Sequence, residues 1–108
     1  ITEVVTSNEF FDYDAKYNGK SKELTPAPID KNLSDRIQSL TEKIYKALNC
    51  SGVCRVDFIY EQDEDQLYFL EINTTPGQSE QSIVPQQVRA IGKDTRWLYN
   101  TILEQLNL

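Results

Sequence analysis

Four polar residues near the middle of the sequence could do chemistry together: Arg55, Asp57, Glu71 and Asn73. Aspartate, glutamate and asparagine are oxygen donors, the set that suits a hard divalent cation such as Mg²⁺. Magnesium keeps several waters and is usually completed by substrate phosphates, so three protein donors suffice. An arginine beside them is left to stabilise charge on a phosphoryl group in transfer. A structural arginine–carboxylate cluster on a solvated sheet edge explains the same residues, and on spacing alone the two readings weigh equally. The loop that follows tips the balance. Thr74-Thr75-Pro76-Gly77 sets small residues just past the oxygen donors, and a glycine lets backbone amides approach a ligand closely. Ser82 stands just before a helix start, where amides and the macrodipole favour an anion. Taken by itself, that serine reads as an ordinary cap.

These residues need a β-hairpin to bring them together. Gly52 to Tyr60 and Gln66 to Asn73 read as two strands, with Glu61, Asp63, Glu64 and Asp65 forming a solvated tip. Cys54, Val56, Phe58 and Tyr60 share one face, and Val53, Arg55, Asp57 and Ile59 the other. On the second strand Tyr68, Leu70 and Ile72 alternate with Leu67, Phe69, Glu71 and Asn73. A register centred on Glu64 sets Asp57 opposite Glu71 and Arg55 opposite Asn73. Opposed acids destabilise a sheet unless something positive lies between them. Both faces carry apolar residues, which predicts a sheet covered on both sides with the charged group near the end of a mostly buried face.

Other elements frame the hairpin. Glu3 to Ser7 and Glu23 to Thr25 read as short strands, the second stopped by Pro26 and Pro28. Asn18-Gly19 is a turn signal. Leu33, Ile37, Leu40, Ile44, Ala47 and Leu48 recur at helical spacing and predict a helix over about 31–48, capped by Asp30. Its role is to cover a sheet. A helix is expected from near Val84-Pro85 to Gly92, and a last one, capped by Asp94, with Trp97, Leu98, Ile102, Leu103 and Leu106 as its apolar stripe.

The whole chain has 108 residues, enough for one domain with a core of its own. Its net charge of -6, with no basic cluster, argues against nucleic acid. No apolar run is long enough to span a bilayer, and the first residues show no signal-peptide pattern, so neither membrane nor export is expected. Cys50 and Cys54 have no second pair and no histidine to complete a metal site, and read as reduced, buried, small apolar residues of a cytoplasmic protein. The absence of histidine removes the usual base of Ser-His and Cys-His catalysis. The absence of methionine suggests a piece of something longer.

Four segments together resemble the C-terminal part of the D-alanine–D-alanine ligase family in the ATP-grasp superfamily. They are Phe10-Phe11-Asp12-Tyr13-Asp14-Ala15-Lys16-Tyr17, Gly52-Val53-Cys54-Arg55-Val56-Asp57-Phe58, Phe69-Leu70-Glu71-Ile72-Asn73-Thr74-Thr75-Pro76-Gly77 and Ser82-Ile83-Val84-Pro85. The resemblance implies that ATP phosphorylates the carboxylate of one D-alanine and the amine of a second attacks the acylphosphate, in peptidoglycan precursor synthesis. It implies Asp57, Glu71 and Asn73 as magnesium ligands, with manganese able to substitute. It also implies Arg55 on the transferring phosphate and the tetrahedral intermediate, Lys16 on phosphate, and Tyr17 in a hydrogen-bonded set that positions substrate and closing loop. Gly77 would be a backbone donor near the reacting carbonyl, Ser82 would bind the second D-alanine's carboxylate, and Phe10 would line the nucleotide pocket.

The implied architecture for residues 1–108 is α+β, the C-terminal portion of an ATP-grasp domain. A mostly antiparallel sheet carries one long covering helix and two C-terminal helices. The family's N-terminal substrate domain and central ATP-binding part would lie outside this chain, which would then be inactive alone and prone to self-association through exposed apolar surface. The parent enzyme is expected to be a homodimer. Gln78-Ser79-Glu80-Gln81 departs from the family's commoner Met-Thr-Ser-His, which bears on acceptor recognition. Two other functions fit the residues: a different ATP-grasp carboxylate–amine ligase, and a non-catalytic α+β binding module with a structural acidic cluster.

Overall fold

The computed structural model describes residues 1–6 and 21–106. Among these residues two antiparallel strand pairs and three helices follow one another. They are β1 (Glu3–Thr6), β2 (Ser21–Leu24), α1 (Lys31–Ala47), β3 (Arg55–Glu61), β4 (Gln66–Asn73), α2 (Ile83–Ala90) and α3 (Thr95–Gln105). β1 pairs with β2 and β3 with β4, each as its own two-stranded sheet. The α+β architecture is as expected, although among the described residues the sheet is two separate ribbons.

Capping sets the helix boundaries. The Leu33 amide donates to Asp30 Oδ1 at 2.7 Å, and the Trp97 amide to Asp94 Oδ1 at 2.8 Å, each satisfying a free donor of a first turn. α2 ends where Gly92 takes φ +78° and its amide reaches the Arg89 carbonyl at 3.0 Å. That left-handed backbone is where glycine costs least. α1 stops one residue short of Leu48, which serves as its C-cap. Tyr45, in its last turns, donates to the Gly52 carbonyl at 2.8 Å and so anchors the loop that enters β3.

The core is small. Val84, Val88 and Leu98 are buried together where α2 meets α3, with Val53 and Ile102 packed against them and Pro85 fully buried. The expected stripe on α3 therefore divides: Leu98 and Ile102 face this core, while Leu103 and Leu106 are 54% and 58% exposed. Cys50 and Cys54 are free thiols but only partly buried, a correction to the buried pair expected. Burial, and then a hydrogen bond donated to Cys50, push the Cys54 thiol above its ordinary range.

The β3–β4 hairpin departs from its expected register in one half. Arg55 opposes Asn73, Val56 opposes Ile72 and Asp57 opposes Glu71, as the sequence predicts. The next pair is Phe58 with Phe69, so Leu70 has no partner and forms a bulge. Beyond it Ile59 meets Tyr68 and Tyr60 meets Leu67. The bulge brings Phe69 to the side of Phe58, and the two rings meet edge-on at 6.4 Å. Coverage on both faces is also corrected: Ile59, Tyr68 and Leu70 are each more than half exposed. No described element packs over them, so the charged end is only partly shielded.

Candidate functional site

Arg55 and Asp57 lie two positions apart on β3, so their side chains leave the same face. The guanidinium grips the carboxylate twice, Nε to Oδ1 at 2.9 Å and Nη2 to Oδ2 at 3.0 Å. This planar two-pronged match is the strong form of the charge-assisted hydrogen bond. The side chains are 20% and 27% exposed, shielded enough to strengthen the pair yet open to a ligand. The hydrogen bond to Asp57 is the main reason that Arg55 titrates above its ordinary value; burial opposes it, and the charges of Asp57, Glu71 and Glu23 assist.

Across the ladder Glu71 faces Asp57 and Asn73 faces Arg55. Glu71 is exposed and Asn73 is half-buried. Asn73 Oδ1 accepts the Thr75 amide at 3.0 Å, an Asx turn that starts the loop and leaves one lone pair on that oxygen. Arg55 was expected to be free for phosphate; here it is engaged with Asp57. Opposite charges two apart on one strand face are within immediate reach, and the fork is the nearest neutralising partner for each.

The donors fit a hard cation by their chemistry. Two carboxylates and an amide oxygen come from adjacent strands, with no thiolate or imidazole among them. Among the described residues no group of three or more His, Cys, Asp or Glu side chains converges. A cation here would therefore lean on Asn73 and on oxygens brought by a ligand.

The loop after Asn73 closes on Ser82. A Cβ on Gly77 would stand 2.8 Å from Ser82 Oγ and 3.3 Å from Ser82 Cβ, so only glycine lets the two segments lie this close. Ser82 occupies the N-cap position of α2 with extended backbone, yet its hydroxyl caps nothing. Instead it shares a hydrogen bond of 2.7 Å with Ser79 Oγ, and its amide donates to the Ser79 carbonyl at 2.9 Å. The hydroxyl is thus held beside a helix start without being consumed by the helix. Gln78 donates from Nε2 to the Pro76 carbonyl at 3.1 Å, while its buried Oε1 has no partner among the described residues.

The structure thus brings Arg55, Asp57, Glu71 and Asn73 together at one end of a hairpin, with Gly77 and Ser82 on the loop that leaves it. Phe10, Lys16 and Tyr17 lie outside the described residues. Sequence reasoning assigned no role to Glu23, whose charge acts on Arg55 and whose Oε1 accepts from Gln86 Nε2 at 2.7 Å. Nothing local marks it, because its partners are 32 and 63 residues away.

Known proteins resemble this chain in sequence and in fold. A family described as D-ala D-ala ligase C-terminus matches residues 1–105. The chain is 54% identical over 104 residues to a D-alanine–D-alanine ligase of Bacteroides fragilis, covering 96% of this chain and 32% of that protein. It is 50% identical over 103 residues to one from Porphyromonas gingivalis strain W83, covering 95% of this chain and 31% of the relative. The fold superposes on the crystal structure of a D-alanine–D-alanine ligase from Bacillus anthracis with a TM-score of 0.77 and 31% identity, over 96% of this chain and 34% of that one. A structure of the same Bacillus anthracis enzyme complexed with ATP matches equally. The chain spans about a third of the length of these relatives. Matched along nearly all of its residues, it belongs to the D-ala D-ala ligase C-terminus family.

Proposed function

We propose that this chain is the metal- and acceptor-side portion of an ATP-dependent D-alanine–D-alanine ligase. One observation carries the proposal: Arg55, Asp57, Glu71 and Asn73 meet at the hairpin end from which the Gly77–Ser82 loop departs. In that reaction the γ-phosphoryl of ATP passes to the carboxylate of one D-alanine, leaving ADP. The amine of a second D-alanine then attacks the acyl carbon, phosphate leaves, and the peptide bond remains after the amine loses a proton. Asp57, Glu71 and Asn73 would hold Mg²⁺, which, when bound, neutralises charge on the phosphates. Arg55, with five donors and a permanent charge, would turn from Asp57 toward the transferring phosphate. The Gly77 amide would steady the carbonyl oxygen, and the Ser82 hydroxyl at the start of α2 the acceptor's carboxylate.

Lys16, Tyr17 and Phe10 are assigned to phosphate, substrate positioning and the nucleotide pocket by resemblance alone. Peptidoglycan synthesis in the cytoplasm and a homodimeric parent belong to the same proposal. In favour of a soluble setting, no helix among the described residues is long and apolar enough to cross a membrane. The exposed Ile59, Tyr68 and Leu70 support burial against a further part of a longer protein, or self-association where that part is missing.

The experiment is Glu71→Ala in the intact ligase, assayed by phosphate release from ATP and D-alanine. Turnover is expected to fall by at least about 10²-fold, the scale of losing one preorganised charge-stabilising group; normal turnover would remove the metal assignment. The changed residues Gln78 to Gln81 favour a second reading, a ligase joining other amines. Phosphate release with L-amino acids in place of D-alanine would distinguish it.

A further inference from the structure

A chain of hydrogen bonds crosses from α2 to the base of the β1–β2 hairpin. Gln87 Nε2 donates to Thr2 Oγ1 at 3.2 Å, Thr2 and Thr25 share a hydroxyl contact of 2.6 Å, and Thr25 Oγ1 donates to Gln86 Oε1 at 3.1 Å. A hydroxyl has one proton. Thr25 gives its proton to Gln86, so Thr2 must be the donor in the contact between the threonines. The order is then unique: Gln87 to Thr2, Thr2 to Thr25, Thr25 to Gln86. Gln86 Nε2 spends its two protons on Glu23 Oε1 at 2.7 Å and on the Gln81 carbonyl at 2.8 Å. Gln86 is therefore engaged on both ends of its amide, by partners up to 63 residues away.

Two of those partners lie next to the site. The Gln81 carbonyl belongs to the residue before Ser82, inside the turn closed by the Ser82 amide on Ser79. Glu23 belongs to β2 and exerts its charge on Arg55. Arg89, one turn along α2, adds a second tie by donating to the Glu80 carbonyl at 2.8 Å.

We infer that Gln86 is a positioning residue: it holds the Ser79–Ser82 turn, and with it the acceptor-side serine, against Glu23 of the β1–β2 hairpin. The inference rests on the acceptor role proposed above for Ser82. Gln86 touches no reacting atom. It acts through the Gln81 backbone on one side and Glu23 on the other. A side chain of equal length without donors would keep the helix and release both.

The test is Gln86→Met in the intact ligase, with Mg-ATP and D-alanine as probes. The KM for the acceptor D-alanine is expected to rise about tenfold, the scale of one or two lost hydrogen bonds, while the KM for ATP stays within about twofold. Thr25→Val, which leaves Gln86 its two donor bonds, is expected to act in the same direction and less. Gln86→Glu sets a carboxylate against both Glu23 and the Gln81 carbonyl, and adding Glu23→Gln mends only the first contact, so the double variant should recover part of the acceptor affinity lost in Gln86→Glu and stay below the parent. Hydrogen exchange adds a readout that needs no turnover: the Ser82 amide should exchange about tenfold faster in Gln86→Met, as its turn loosens. Unchanged exchange at Ser82 would overturn the inference whatever the enzyme does. So would equal changes in kcat and in the KM for ATP with the acceptor KM unmoved. Faster exchange in a parent protein that makes no dipeptide would uphold the tie and count against the ligase reading alone.

Discussion

The β3–β4 hairpin carries an arginine–aspartate pair at each end, and the two differ in everything but chemistry. At the open end Arg55 and Asp57 come from one strand, and their side chains are 20% and 27% exposed. At the tip Arg36 reaches from α1 to Asp65 at 2.7 Å, with side chains 37% and 65% exposed. Asp65 sits in the turn with φ +51° and also accepts from the Tyr60 hydroxyl. The tip pair has water on most sides and a job that local structure explains: it pins α1 to the turn. The open-end pair is shielded, faces a second carboxylate and borders a loop built around Gly77. The same two side chains are a strut where solvent competes and a candidate reaction centre where it is partly excluded.

Substituting each aspartate gives the sharpest contrast. Asp57→Asn in the intact ligase should lower turnover by about 10²–10³-fold. It should also cost about 1–2 kcal/mol of stability, because Arg55 keeps its charge and loses its fork in a partly shielded site. Asp65→Asn should leave turnover unchanged and lower the melting temperature at neutral pH only slightly. Equal effects of the two on turnover would dissolve the distinction.

Gly77→Ala tests whether the loop is as tightly built as the open end requires. The added methyl would lie 2.8 Å from Ser82 Oγ, so the serine hydroxyl must rotate off Ser79 or one segment must shift. A rise in the acceptor KM of about tenfold or more is expected, in line with the cost of a small displacement near reacting groups. An unaltered KM would show the contact to be relaxed.

The smallest effect lies in the pH dependence of the tip. The hydrogen bond from Tyr60, then that from Arg36, holds the Asp65 carboxyl below its ordinary range. A carboxyl depressed in the folded state contributes stability that is full above its unfolded pKa and is lost as pH falls through the folded value. Asp65→Asn should therefore slightly flatten the acid limb of a melting profile below about pH 4. The difference should shrink further in high salt, since the pair is exposed. A large acid-limb change would make the tip pair more than a strut.

Much of this was legible in the residues themselves. Asp30 and Asp94 announced their helices because an N-cap bond spans only three residues. The pairing of Asp57 with Glu71 and Arg55 with Asn73 followed from alternation together with a turn centred on Glu64. The bulge at Leu70 did not, because one unpaired residue leaves each strand's own pattern intact. It cost the expected placement of Phe69, which joins Phe58 instead. Nor could spacing reveal that Arg55 would fork onto Asp57, since the same positions also suit an arginine turned to phosphate.

Residue type and short-range spacing, by themselves, determined the helix starts, the hairpin ends and the oxygen-donor set, because each depends on contacts a few bonds along the chain or on strict alternation. Tertiary structure alone decided that Gly77 lies against Ser82, that Glu23 accepts from Gln86, and that Gln86 joins the loop before α2 to the first hairpin. Those contacts link residues far apart in the chain, and a side chain's partner at that distance is set by how the elements come to rest against one another.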